Sequence, residues 1–191
     1  DAKIAVKAVG ICGSDIHAYY GEHPFMTFPI VLGHECTGVV EQIGMEVRNL
    51  TVGDRVVLRP QDVCGKCKPC REGRYNICES LKVLGCQSTG GCSDYYAADA
   101  KLFYRLPASL GFAEGTMIEP LAVALHAVKR IGDCKDKKVL VLGAGTIGNL
   151  VAQSAKALGA SKVMITDVSK EKLEIAKKTG IDYTVNVFFA I

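Results

Sequence analysis

Hydrophobic and polar positions alternate from the first residues of the chain. Ile4, Val6 and Ala8 take every second place, the period of a half-buried strand. Two more β-branched runs, Val39-Val40-Glu41-Gln42-Ile43 and Arg55-Val56-Val57-Leu58, are bounded by the turn signals Gly38, Gly44 and Gly53-Asp54. The first hundred residues are therefore expected to be β-rich. From Phe112 to Ile131 the period changes: Leu121, Leu125 and Val128 recur at helical spacing and predict one buried face. Pro120 places Glu119 at or near the start of that helix, since proline is tolerated in a first turn and disfavoured deeper. His126 falls in the apolar stripe and reads as a core histidine. After a break at Gly132-Asp133-Cys134-Lys135-Asp136, the apolar run Lys138 to Leu142 has the pattern of a strand buried on both faces. Gly143-Ala144-Gly145-Thr146-Ile147-Gly148 follows, then a helix to about Leu158 stopped by Gly159. A second strand, Lys162 to Thr166, ends in Asp167. Ser169 can cap a helix through Lys178, and Asp182 to Val187 reads as a third strand.

This order predicts an α/β chain with a β-rich first domain over residues 1–131, including the linking helix. Residues 132–191 form about half of a doubly wound sheet. A length of 191 residues allows two modest domains, and 49% hydrophobic with 23% charged residues is ordinary globular composition. The net charge of +3 is scattered, which argues against a nucleic-acid partner. No apolar run reaches membrane-spanning length. Nine cysteines without a signal-peptide pattern point to a reducing, cytoplasmic compartment with thiols serving as ligands. Asp1 opens without an initiator Met, and Val185 to Ile191 is apolar and uncapped. Both ends read as cut from something larger, or as the ordered part of a longer chain.

The chemistry gathers in four places. Cys12-Gly13-Ser14-Asp15-Ile16-His17 puts a thiol, a hydroxyl, a carboxylate and an imidazole within six residues, and Gly33-His34-Glu35 and Glu119-Pro120 follow downstream. One Cys, one His and one or two carboxylates suit zinc, and fewer protein ligands than a four-thiolate site leave room for a substrate. Glu119 has a second reading as a carboxylate favouring the positive end of its helix dipole. Cys64-x2-Cys67-x2-Cys70-x7-Cys78 has the close spacing of a self-contained tetrahedral site, so its zinc would be structural. Two disulfides fit the compartment poorly, and an iron–sulfur run needs another spacing and a following Pro. Cys36, Cys86, Cys92 and Cys134 share no such spacing and read as small core or surface residues. Finally, strand, glycines, helix, strand and acid stand in dinucleotide-binding order. Gly143, Gly145, Thr146, Ile147 and Gly148 would lie against a pyrophosphate. Asp167 can accept from the ribose hydroxyls, and its charge repels a ribose phosphate, which favours NAD over NADP.

The motif from Gly10 to His17, Gly33-His34-Glu35, the cysteine loop, Ile118-Glu119-Pro120-Leu121 and the glycine loop together resemble the zinc-dependent medium-chain dehydrogenases, most of all their sorbitol (polyol) branch. The resemblance implies a GroES-like catalytic domain of partly open barrel form, followed by a Rossmann domain that is incomplete here. Cys12 and His34 become ligands of a catalytic zinc, with Glu35 and Glu119 competing for the next position and Glu119 ranked first. Asp15 orients His34, Ser14 and His17 relay the alcohol proton, and Tyr19 lines the substrate cleft. The implied activity is NAD-dependent oxidation of a polyol or diol by a homodimer or homotetramer. Butanediol, sugar-phosphate and threonine dehydrogenases share most of these motifs; a non-catalytic zinc and dinucleotide binder would need no relay.

Overall fold

The computed structural model describes residues 1–189, with the backbone alone at Phe189. Ala190 and Ile191, the end of the apolar tail noted above, lie outside the described residues. The early alternation becomes β1 (Ala2–Gly10), with Ala2 and Ile4 almost fully buried. A short helix, α1 (Gly13–Tyr19), leads away from it. β2 (Glu35–Ile43) then returns antiparallel, from Ala2↔Ile43 to Gly10↔Glu35, with register shifts at Lys3/Ile4 and Val6/Ala8. β3 (Arg55–Leu58) extends the sheet beyond β2. β4 (Gln61–Asp62) and β5 (Lys82–Val83) form a separate ribbon. Between them the cysteine segment folds around α2 (Lys68–Arg71) and a 3₁₀ turn at Tyr75–Ile77. β6 (Tyr95–Ala98) and β7 (Phe103–Arg105) complete a five-stranded antiparallel sheet in the order β6-β1-β2-β3-β7.

Ile4, Val40, Val56, Leu58, Tyr96, Leu102 and Phe103 form the core of this sheet. α3 (Phe112–Thr116) packs on β1 and β2. The fully buried Thr37 hydroxyl donates to the Phe112 carbonyl at 2.9 Å, and the Arg55 guanidinium lies 4.6 Å from the Phe112 ring centre.

Two compact units are present, Asp1–Glu119 and Pro120–Ile191. The division falls inside α4 (Ile118–Arg130), ahead of the 131/132 boundary read from sequence. The reason is Val128, which packs into the second core with Val141, Ala152, Val163 and Ile165. The buried line of α4 is Pro120, Ala124 and Val128, whereas Leu121 is 42% exposed and His126 is exposed. The expected stripe was read from large apolar residues. The helix instead buries the small Ala124, which has no exposed surface and permits a close approach.

The second unit alternates β8 (Lys138–Leu142), α5 (Thr146–Ala157), β9 (Lys162–Asp167), α6 (Lys170–Lys178) and β10 (Tyr183–Asn186). The strands are parallel in the order β10-β9-β8. Gly159 ends α5 in the left-handed region at φ +93°, and the Ser169 hydroxyl caps α6 by accepting from Lys172 N at 3.2 Å. Burial of β8 on both faces is not what the structure shows among the described residues. Val141 faces the core, but Leu140 and Leu142 are 59% and 77% exposed, because both helices pack on one side of the sheet. Among the described residues no helix is long and apolar enough to cross a membrane.

Thr37→Val keeps the shape of the side chain but removes the donor to the part-buried Phe112 carbonyl. It is expected to destabilise the first unit by about 0.5–1.5 kcal/mol, seen as a lower denaturant midpoint at unchanged slope.

Candidate metal centres and dinucleotide loop

β1 delivers Cys12 two residues past its end, and β2 begins at Glu35, directly across from Gly10. One ligand atom each from Cys12, His34 and Glu35 lies within 4.8 Å of the others. Cys12 is the N-cap of α1, and Asp15 in the first turn accepts from the Cys12 backbone N–H at 2.8 Å. The other Asp15 oxygen, Oδ1, faces His34 Nδ1 at 3.8 Å. Both atoms are buried and lack a hydrogen-bond partner. A carboxylate aimed at one ring nitrogen holds the imidazole so that the other nitrogen can serve as a donor to a metal. The electrostatics agree. His34 is pushed up to about 11, first by its hydrogen bond with the Cys12 thiol and next by that with Cys86. Cys12 is pulled down, chiefly by His34. Both shifts favour a thiolate on Cys12, and a dication would take the place of the proton between the two groups. Burial raises the Glu35 carboxyl, and His34 partly offsets this. A thiolate, a carboxylate and a neutral imidazole would balance the charge of Zn²⁺, so the donor set fits that ion.

The loop ahead of His34 is held by closely stacked glycines. Gly33 sits at φ +99°, and a Cβ there would stand 2.6 Å from Cys92 Sγ. A Cβ on Gly85 would meet the Gly33 backbone at 2.7 Å, and one on Gly91 would meet Cys36 Sγ at the same distance. Gly90 N and Gly91 N donate to Val31 O and Gly33 O, and Cys92 N donates to Leu32 O. The segment from Gly85 to Cys92 thus fixes where His34 emerges.

Cys64, Cys67, Cys70 and Cys78 form a second cluster within 4.8 Å, and all four thiols are free. Cys64 and Cys78 sulfurs are 3.6 Å apart, and those of Cys67 and Cys78 are 3.9 Å apart. Four sulfurs about 2.3 Å from one zinc stand about 3.8 Å apart at the corners of a tetrahedron. A disulfide would need a separation of about 2.05 Å. Backbone N–H groups of Lys66 and Cys67 pull the Cys64 thiol down, favouring the thiolate that a metal requires.

In the second unit Gly143 adopts φ +94° and Gly145 caps α5. A Cβ on either glycine would meet nothing within 4 Å, so the space beside the helix N-terminus is open to a phosphate. A Cβ on Gly148 would collide with the Gly143 carbonyl oxygen, which explains the third glycine. Thr146 and Ile147 form the first turn of α5. Asp167 Oδ2 accepts from Ala144 N at 2.7 Å, and Oδ1 accepts from Ser169 N at 2.8 Å. These bonds hold its carboxyl below the usual range.

Residues 1–108 match the family model of the alcohol dehydrogenase GroES-like domain, and residues 146–189 match that of the zinc-binding dehydrogenases. The chain belongs to the alcohol dehydrogenase family. It is 39% identical over 98% of its length to an L-idonate 5-dehydrogenase of Vitis vinifera, and 41% identical over 98% to a sorbitol dehydrogenase of Arabidopsis thaliana. It spans about half of these relatives, 52% of each. The crystal structure of galactitol-1-phosphate dehydrogenase from Escherichia coli superposes with a TM-score of 0.92 at 36% identity, covering 98% of this chain and 54% of that one. The fold of this family member is a GroES-like domain followed by a partial Rossmann-type domain.

Within that frame the predicted site residues fall into distinct groups. Cys12, His34 and Glu35 converge, with Asp15 beside them. Glu119, in the first turn of α4, lies outside the 4.8 Å cluster. Its carboxyl is raised by burial and feels the charges of His34 and Glu35. Ser14 bonds to the Cys12 thiol. His17, one turn further along α1, is exposed and pairs with Glu22 at 3.0 Å. Tyr19 is 82% exposed. Sequence reasoning passed over Cys86, which is buried and interacts with His34, and the glycines at 85, 90 and 91. Three glycines and two cysteines within eight residues were the available signal.

Cys67→Ser is expected to remove one zinc per chain and to leave the cysteine segment open to proteolysis. Elemental analysis before and after the substitution, beside limited digestion, checks this.

Proposed function

We propose that the chain is part of a zinc- and NAD-dependent oxidoreductase that converts a secondary alcohol of a polyol or diol to a ketone. The observation that carries the reading is the convergence of Cys12, His34 and Glu35 within 4.8 Å, with the buried His34–Asp15 pair behind them. Cys12, His34 and Glu35 would hold the catalytic ion, and Cys64, Cys67, Cys70 and Cys78 the structural one. When bound, zinc supplies a Lewis acid that lowers the pKa of the alcohol and NAD supplies the hydride acceptor. The protein's own part is positional and protonic. Asp15 fixes the His34 ring while capping α1 through the Cys12 N–H. Ser14 Oγ takes the proton of the substrate hydroxyl, and His17 Nδ1 or Nε2 passes it to solvent from its exposed place on α1. Such a relay contributes about 10²–10⁴-fold. Tyr19 borders the substrate. With NAD⁺ as the hydride acceptor, the balance would close as ketone, NADH and H⁺, the proton leaving through Ser14 and His17.

Support for a dinucleotide comes from the open space over Gly143 and Gly145 beside the α5 N-terminus. Gly148, Thr146 and Ile147 complete that wall. Each Asp167 oxygen keeps a lone pair after its backbone bond and can accept a ribose hydroxyl, while its charge disfavours a ribose phosphate. In this reading residues 1–131 serve catalysis and residues 132–191 open the cofactor domain. The nine free thiols suit the cytoplasm, and a homodimer or homotetramer follows the family pattern.

NADH formation by the full-length protein over a panel of polyols, diols and primary alcohols tests the activity. Zinc and NAD binding with no polyol or diol turned over would sink it. We favour Glu35 over Glu119 as the ligand, because Glu35 shares the cluster with Cys12 and His34. Glu35→Ala is expected to weaken zinc at the catalytic site more than Glu119→Ala, whose effect stays within about 10–100-fold. Zinc content per chain decides between them, and the four-thiolate zinc survives both. Asp167→Ser should narrow the ratio of kcat/KM for NAD over NADP. It should also raise KM for both cofactors, because the Ala144 N–H loses its acceptor.

A further inference from the structure

Glu35 reaches the candidate metal cluster across a place where the opposite strand has no side chain. Gly10 is its direct partner in the β1–β2 ladder. Side chains so placed project from the same face, with Cβ atoms usually about 4.5–5.5 Å apart. A Cβ built on Gly10 would stand 3.0 Å from Glu35 Cβ and 3.3 Å from Cδ, and it would overlap Oε2. The carboxylate therefore occupies the volume that any other residue at position 10 would fill. Gly10 is a strand residue outside the left-handed region, so its backbone does not demand glycine. Only the space does.

We propose that Gly10 is a positioning residue for the catalytic metal: the missing side chain lets the Glu35 carboxylate fold over β1 and join Cys12 and His34. This rests on the metal reading given above. The overlapping Oε2 is the far end of a flexible side chain and can swing away from a methyl at position 10, whereas Glu35 Cβ has to give by a few tenths of an ångström. The swing removes a ligand oxygen from the cluster, and the Cβ contact costs the sheet some stability. Sequence spacing alone cannot show this, because residues 10 and 35 meet only through the register.

The test uses full-length protein with wild type, Gly10→Ala, Glu35→Ala and the double variant. Chelator competition measures affinity at the more labile zinc, and the cobalt(II) spectrum of the exchanged site reports its ligands. Gly10→Ala is expected to weaken this zinc by about 10–100-fold and to shift the cobalt bands as Glu35→Ala does. The four-thiolate ion should stay as in wild type, and the zinc-free protein should stay folded with a melting temperature lowered only by the Cβ contact, in the presence or absence of the Glu35 carboxylate. In the Glu35→Ala background the same substitution should not weaken this zinc further, since the carboxylate is already gone and the remaining Cβ contact bears on stability alone. If Gly10→Ala alone misfolds, recovery of folding in the double variant supports the proposal. Wild-type affinity in Gly10→Ala, or an equal loss with and without Glu35, overturns it. A wild type holding only the four-thiolate zinc overturns the metal reading itself, and is told apart by the missing labile ion.

Discussion

Strands β1 and β2 pair from Ala2↔Ile43 to Gly10↔Glu35, and the candidate catalytic centre hangs on the last rung. Cys12 leaves that end of one strand and His34 enters that end of the other, so two residues far apart in sequence become neighbours through backbone hydrogen bonds. A one-residue slip would turn Glu35 to the opposite face of the sheet. The core side chains resist this, because Ile4 and Val40 would be driven out of a fully buried position. Packing and chemistry are thus enforced by the same register. Asp15 adds a second tie, one oxygen on the Cys12 N–H and the other towards His34.

What could be read from the chain follows the range over which each feature is built. The cysteine cluster lies within fifteen residues, and the βαβ order of the second unit is local as well, so spacing alone located both. Features set by contacts between distant segments were not legible. The buried line of α4 runs through Ala124, a residue that a count of large apolar side chains ignores. Glu119 was ranked above Glu35 because the resemblance gives its position, at a helix start, to metal coordination. The register that sets Glu35 across from Gly10 joins distant segments, so spacing does not reveal that Glu35 shares a cluster with Cys12 and His34. Asp167 was assigned to a ribose, but its carboxylate also ties the glycine loop to the start of α6, a double duty visible only from the hydrogen bonds.

The glycines from 85 to 91 show how a catalytic loop can be rigid without regular structure. Their backbones stand where side chains would otherwise intervene, and the N–H groups of Gly90 and Gly91 bond to the segment before His34. The thiol of Cys86, carried on this stack, hydrogen-bonds to the His34 imidazole. Small residues here act through what they leave out, and their contribution escapes any reading based on reactive groups.

The two thiol-bearing centres differ in how much of the polypeptide each needs. Cys64 and Cys78 lie fourteen positions apart, so their cluster is closed by local chain alone. Cys12, His34 and Glu35 come together only through the pairing of β1 with β2, and Glu119 stands on a further element, the start of α4. A change that slips the β1–β2 register would therefore disperse the mixed cluster and leave the four thiols together.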